Sequence, residues 1–306
     1  MLSWKEFKRS KSKKEDVKIF QKNIAKYILN LHYELSNNTY QHGHYHAFYI
    51  NDPKRRHIHK ASVKDRIVHH AVFRILYPIF DPTFIYDSYS CRLEKGTHKA
   101  MNRFRQLAKK VSNNNTKTCF ILKLDIKKFF HSIDQGILLS ILQKYIPDQN
   151  IINLLQEIIT SFNSGKKGIG LPLGNLTSQL FCNIYMNEFD QFIKHTFKIK
   201  YYIRYADDFV ILHQNRVYLE NLISIIDTFL QENLKLQLHP DKIYIKTLSS
   251  GIDFLGWIHF FDYRILRTTT KRRMFKRINN KNKSSYIGSL KHGNSYKIRK
   301  KLSRFL

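Results

Sequence analysis

Apolar and polar positions along this chain repeat with two different periods, and the switches between them mark its elements. Residues 1–39 begin with Lys-rich polar stretches. Apolar positions then recur at helical spacing (Ile19, Ile24, Tyr27, Ile28, Leu31, Leu35), predicting a helix that ends at Ser36-Asn37-Asn38. Tyr40–Lys60 reads as strand, turn and strand, with Asn51-Asp52-Pro53 as the turn. Lys64–Phe80 repeats Ile67, Val68, Ala71, Val72, Ile75 and Leu76, a helix with a basic face, and a further helix follows Gly96 to about Val111. Phe120, Leu122 and Leu124 alternate with Ile121, Lys123 and Asp125, which predicts a largely buried strand with Asp125 at its end. Residues 135–163 read as helix broken at Pro147; another helix begins near Leu176, with Asn175 or Thr177 as its cap. Tyr201–Tyr205 and Phe209–Leu212 read as strands of a hairpin with Asp207-Asp208 at its tip. Leu219–Leu230 is helical, Leu234–Ile245 returns as a strand through His239-Pro240-Asp241, and Phe254–Trp257 reads as a tight turn. The sum is an α+β fold: an antiparallel sheet backed by helices. No internal repeat is visible.

Charge changes this picture more than length does. The 306 residues hold 53 Lys and Arg against 23 Asp and Glu, a net charge of +30. A compact chain so charged repels itself unless a polyanion is its usual partner. With no long apolar span, nucleic acid is favoured over a membrane. An AT-rich genome explains part of the Lys count but not the imbalance of signs. The 42% hydrophobic content argues for a folded core. Cys91, Cys119 and Cys182, odd in number and far apart, point to a reducing compartment without a disulfide framework. The N-terminus lacks an apolar signal core, so a cytoplasmic protein is expected.

The candidate chemistry centres on carboxylates. Two adjacent acids between apolar strands are costly unless cations compensate, although a plain solvated turn accounts for Asp207-Asp208 equally well on spacing alone. Asp125, at the end of another strand, shifts the balance; its own alternative is a helix N-cap. Three such acids can hold two Mg²⁺ ions through hard oxygen ligands, the arrangement that clamps the attacking and leaving oxygens of a phosphoryl displacement. His42, His44 and His46 alternate and would share one strand face, as a polar face near nucleic acid more readily than as a zinc site, since no Cys accompanies them. Lys54, Arg55 and Arg56 suit either a triphosphate-gripping hairpin or a solvated charge run. Phe130 suits either a gate against a 2′-hydroxyl or an ordinary core ring. Gly168, Gly170 and Gly174 permit close backbone approach to a ligand ahead of the helix near Leu176. Lys242 is either a proton donor to departing pyrophosphate or a surface lysine. From Arg264 onward Lys and Arg dominate, with Tyr286 and Tyr296 interleaved, as suits phosphate contacts and stacking on a duplex.

The strings DPKRRHIHKASVKDRIVHH, DSYSCRLEKGTHKA, LPLGNLTSQLFCNIYMNE, YADD and FLGWIHFFDYRILRTTTKRRM together resemble the prokaryotic reverse transcriptases, most closely those of diversity-generating retroelements. The likeness runs from Tyr40 to the C-terminus. LPLGNLTSQ carries the sub-family likeness, because intron and retron enzymes have Pro-Gln-Gly where this chain has Pro172-Leu173-Gly174. The chain ends after the expected thumb, which weighs against a complete intron protein. Glu94 stands where the family usually has Gly, and Cys182 replaces a common Ala. The resemblance implies a right-hand polymerase: N-terminal helix and fingers over 1–118, palm over 119–262 with 150–180 at its junction with the fingers, and a small basic helical thumb over 263–306. It implies Asp125, Ile126, Asp207 and Asp208 at two Mg²⁺ ions, with Mn²⁺ as a substitute, Phe130 as the sugar gate and Lys242 as the acid. It further implies Lys54 and Arg56 on the triphosphate, and Leu173, Gly174, Asn175 and Gln179 near the template–nucleotide pair. Such enzymes copy a template-repeat RNA into error-prone cDNA beside a small basic pentameric accessory protein. A defence-associated or intron-derived reverse transcriptase, and a non-catalytic RNA-binding scaffold, are the rival readings.

Overall fold

The computed structural model describes residues 1–52 and 54–304; Pro53 of the expected turn and the last two residues of the expected thumb lie outside the described residues. In chain order the elements are helices α1 (Leu2–Lys8), α2 (Glu15–Lys22) and α3 (Ile24–Ser36), strands β1 (His46–Ile50) and β2 (Arg56–Lys60), and helices α4 (Val63–Phe80) and α5 (Thr97–Val111). Strand β3 (Phe120–Asp125) precedes helices α6 (Phe129–Ser132), α7 (Gln135–Tyr145), α8 (Gln149–Thr160) and α9 (Leu176–Gln191). Then come β4 (Tyr202–Tyr205), β5 (Asp208–His213), α10 (Arg216–Leu234), β6 (Tyr244–Thr247), β7 (Ile252–Phe254), β8 (Trp257–His259), β9 (Arg264–Leu266), α11 (Thr268–Arg277), α12 (Lys283–Leu290) and α13 (Tyr296–Arg304). They fall into two interleaved units. One comprises residues 1–86, 126–197 and 228–237, the other residues 87–125, 198–227 and 238–306.

The first unit is helical apart from the antiparallel β1–β2 ribbon. Its helices stop where the sequence removes a donor or supplies a cap: Asp148 follows Pro147 and accepts from the Asn150 and Ile151 amides, so α7 and α8 are separate. Ser62 caps α4 by accepting from the Asp65 amide. The fully buried Asp65 carboxylate receives Tyr40 Oη at 2.8 Å, Ser62 Oγ at 2.6 Å and the Gly43 amide at 3.2 Å. That network corrects the expected histidine strand. It pulls residues 40–45 out of extended pairing, so only His46 of the three histidines lies in a strand, and His42 Nε2 instead sits 3.2 Å from His69 Nε2. The N-terminal segment also differs, since three helices replace the single one expected.

The second unit is built on a four-stranded antiparallel sheet in the order β4-β5-β3-β6. Register fixes what each face carries. Asp125 pairs with Asp208, Lys123 with Val210 and Ile121 with Leu212. These six residues share one face, because side chains along a strand alternate. At one end of that face Ile121, Ile203, Val210 and Leu212 pack with Ala100, Phe104, Leu107, Ala108 and Val111 of α5. Lys123, Asp125 and Asp208 stand at the other end. A one-residue slip would send the acids to the opposite face and bury them among Leu122, Leu124 and Phe209, so packing enforces their position. The expected strand over Leu234–Ile245 shrinks to β6, for two reasons. Pro240 has no N–H for a ladder and opens a 3₁₀ turn, Pro240–Lys242, while the His239 amide is already bound to the Asp125 carbonyl at 2.8 Å. Sheet β7-β8-β9 turns tightly at Leu255 and Gly256, both at positive φ. Trp257 and Leu266 pack with Met274, Leu290 and Leu302 of the three C-terminal helices. Among the described residues no helix is long and apolar enough to cross a membrane.

Candidate active site

Asp125 ends β3, Asp208 begins β5 opposite it, and Asp207 lies in the two-residue loop that joins β4 to β5. The acidic pair is therefore not the hairpin tip itself. Ala206 and Asp207 form the loop, and Asp208 is already in the ladder. Ala206 takes a φ of 56°, a left-handed conformation that costs a non-glycine residue roughly 1–2 kcal/mol. Arg204, fully buried, holds the loop in place by donating from Nη1 to the Ala206 carbonyl at 3.1 Å and from Nη2 to Ser88 Oγ at 3.1 Å.

Two lysines neutralise part of this acidic edge. Lys242 Nζ donates to Asp125 Oδ1 at 2.5 Å. Lys123 Nζ lies 3.2 Å from Asp208 Oδ2 and donates to the Asp253 carbonyl at 2.7 Å. Even so, Asp208 is under-compensated. Burial pushes its carboxyl up to about 6, the Asp125 and Asp207 charges push the same way, and the Lys123 ammonium only partly offsets them. Its Oδ1 is buried and has no hydrogen-bond partner among the described residues. Among the described residues no three acidic, His or Cys side chains form a ready-made cation cage. The donor set nevertheless fits divalent ions, because an orphaned carboxylate oxygen in a cluster of like charges gains from added positive charge. Ile126 is buried, and its side chain is hydrocarbon, so only its main-chain carbonyl can serve as a ligand.

The remaining expected site residues all belong to the first unit. Lys54 and Arg56 are exposed and form no ion pair among the described residues. Phe130 is half-buried beside the buried Phe129, so Phe129 supplies the core ring and Phe130 is left available. The Leu173 carbonyl accepts from the His59 amide at 3.0 Å. Asn175 does not cap α9 with its side chain. Buried instead, it donates to the His59 carbonyl at 2.7 Å and accepts from the Ala61 amide at 3.2 Å, which stitches the loop to β2. Gly174 has a φ of 111°, and a Cβ there would meet Ile58 Cγ2 at 2.8 Å. Gln179 is exposed on α9. Sequence reasoning missed Lys123, although its alternation with Asp125 already placed both on one face. It missed Asp253 as well, which nothing in its local sequence sets apart. Asp253 offers its carbonyl to Lys123 and its carboxylate to Arg267 at 2.9 Å.

Comparison with known proteins brings these observations together. The family profile described as Reverse transcriptase (RNA-dependent DNA polymerase) matches residues 50–259. Protein YkfC of Escherichia coli K12 is 26% identical over 235 residues, covering 64% of this chain and 60% of that protein. The group II intron-encoded protein LtrA of Lactococcus lactis is 22% identical over 293 residues, covering 74% and 47%. The chain thus spans 60% and 47% of the length of these two relatives. Among solved structures, telomerase from Candida albicans in complex with a fragment of telomeric RNA aligns with a TM-score of 0.56 at 12% identity, over 83% of this chain and 51% of that one. Apo telomerase from Candida tropicalis aligns at 0.52.

Proposed function

The chain belongs to the reverse transcriptase family and has its right-hand polymerase fold, and on that premise we propose that it extends a DNA primer on an RNA template. The observation that carries this reading is the register pair Asp125–Asp208, which sets Asp207 beside it at the end of a sheet face whose other end is packed with apolar side chains. Asp125, Asp207 and Asp208, with the Ile126 carbonyl, would hold two Mg²⁺ ions or Mn²⁺ in their place. Such ions, when bound, neutralise charge on the attacking and leaving oxygens. The residues of the chain do the rest. Lys54 and Arg56 bind the triphosphate of a paired deoxynucleotide, and the Phe130 ring excludes a 2′-hydroxyl. Leu173, Gly174, Asn175 and Gln179 shape the template–nucleotide pair, Asn175 by holding its loop on β2. The primer 3′-hydroxyl releases its proton to water as its oxygen forms the bond to the α-phosphorus and the bond to pyrophosphate breaks. Lys242 Nζ, already oriented by Asp125, gives a proton to the departing pyrophosphate. Fingers over 1–118, palm over 119–262 and thumb over 263–306 are the corresponding division. Primer extension with dTTP on poly(rA)–oligo(dT) tests the reading. Mg²⁺-dependent incorporation is expected, and inert protein under those conditions overturns it.

The finer assignment is to a diversity-generating retroelement, supported by Leu173 within LPLGNLTSQ. The protein would then copy a template-repeat RNA with errors opposite adenine, in the cytoplasm, beside a small basic pentameric accessory protein. An intron-derived enzyme is the second reading, favoured by relatives such as the group II intron-encoded LtrA. A template repeat, a variable repeat and a small accessory gene flanking this one decide for the first; their absence decides for the second.

A further inference from the structure

We propose that Lys123 makes the acidic edge select Mg²⁺ over Ca²⁺, by taking one oxygen of the Asp208 carboxylate and leaving the other for the cation. The proposal rests on the reading of Asp125, Asp207 and Asp208 as cation ligands, and makes Lys123 a positioning residue that acts through Asp208. The two stand on one face of the sheet, since Lys123 lies two residues before Asp125 on β3 and Asp125 is the register partner of Asp208. Lys123 Nζ is 3.2 Å from Asp208 Oδ2. Oδ1 is the oxygen left without a hydrogen-bond partner among the described residues. The two oxygens of this carboxylate are therefore not equivalent.

The surroundings of Lys123 fix it in place. Its side chain is 13% exposed, against 38% for Lys242, the other lysine on this edge. Nζ also donates to the Asp253 carbonyl at 2.7 Å. The Tyr244 hydroxyl, from the residue opposite Lys123 on β6, donates to that same carbonyl at 3.4 Å. Asp253 is itself held, because its carboxylate receives Arg267 Nη1 at 2.9 Å. The Phe254 ring lies 5.9 Å from Nζ and belongs to the core packed on α5. The ammonium thus keeps a fixed neutral acceptor behind it while it covers Oδ2. Mg²⁺ has a tight octahedral shell and is served by one oxygen from a carboxylate, with water in the remaining positions. Ca²⁺ has a larger, looser shell and readily takes both oxygens of one carboxylate. An Asp208 with a single open oxygen is the better ligand for the first ion.

Mn²⁺ electron paramagnetic resonance on the full chain, with Mg²⁺ and Ca²⁺ as competitors, reads cation binding directly and without turnover. Only the binding that Asp208→Asn loses is counted. Lys123→Met should bind all three ions more tightly, because a positive charge has gone. Its gain for Ca²⁺ should exceed its gain for Mg²⁺ by roughly tenfold, the scale of one charge-assisted contact. Lys246→Met, which removes an exposed charge from β6 of the same sheet, should leave the Ca²⁺-to-Mg²⁺ affinity ratio as in the wild type. An equal gain for both ions in Lys123→Met would reduce Lys123 to a plain charge and overturn the proposal. A wild-type chain that binds no more Mn²⁺ than Asp208→Asn does would instead overturn the metal reading of the site, and this proposal with it. If Lys123→Met fails to fold, Lys123→Gln takes its place. It keeps a donor for the Asp253 carbonyl without the charge on Oδ2, so the ratio should again rise, and an unchanged ratio would overturn the proposal.

Discussion

Asp208→Asn separates the cost of the catalytic edge from its use. Burial raises the Asp208 carboxyl from 3.8 to about 6, roughly two units, and each unit is about 1.4 kcal/mol. Because the folded-state value is the higher one, the native protein holds this proton more tightly than the unfolded chain does. The contribution of Asp208 to stability is therefore greatest below about pH 4, falls as pH rises toward 6, and is level above that, with a ceiling of about 3 kcal/mol lost. The side chain is 21% exposed, so solvent screens part of this and the ceiling will not be reached in full. Asparagine cannot ionise. It keeps an oxygen for Lys123 but places an amide where Oδ1 has no partner, at a pH-independent cost of about 1–3 kcal/mol. The sign of the difference at a single pH is thus not the test; its slope is. In metal-free buffer with chelator, equilibrium urea unfolding at pH 4.5, 6.0 and 7.5 should show the variant gaining on the wild type by about 1–3 kcal/mol across the range. Titrating groups that do not touch Asp208 cancel in that comparison, while Lys123, Asp125 and Asp207 change with it. Parallel pH dependences would refute the reasoning and with it the under-compensated carboxylate.

Three further outcomes follow from the same geometry. Lys242→Gln should slow incorporation by about 10²–10⁴-fold in single-turnover assays, the usual share of a general acid. Gly174→Ala should destabilise the first unit by roughly 1–3 kcal/mol in denaturant unfolding, through left-handed strain and the Ile58 contact, whereas Gly168→Ala, with open space around it, should lose only the strain term. Leu173→Gln should lower misincorporation opposite template adenine in a sequenced extension product, since Leu173 offers no side-chain amide to the template base; an unchanged error rate ends that idea.

The sheet was legible because its strands obey a period of two. Alternation from Phe120 to Asp125 fixed the face that Asp125 occupies, and the apolar runs around Asp207-Asp208 fixed the hairpin to within one residue. Pro147, the Leu255-Gly256 turn and the end of α5 at Val111 were equally readable, since each depends on local backbone preference. What was not legible depends on contacts distant in sequence. The Asp65 network decides that residues 40–45 leave the strand, and its Tyr40 and Gly43 partners lie 25 and 22 residues away. Asn175 reads as a helix cap, yet it bonds to residues 116 and 114 positions away. Lys123 meets its partners, the Asp208 carboxylate and the Asp253 carbonyl, 85 and 130 residues on. Glu94 is the converse case. The departure from glycine was visible in sequence, and it takes a φ of 56°, the region that glycine favours.

The most direct test of the account is Asp207→Asn, assayed side by side for dTTP incorporation on poly(rA)–oligo(dT) and for RNA affinity at matched salt. The trio of carboxylates predicts that incorporation disappears while the affinity, set by the positive charge of the whole chain, stays within about twofold. A variant that still extends primers, or one that loses RNA binding along with activity, would contradict it.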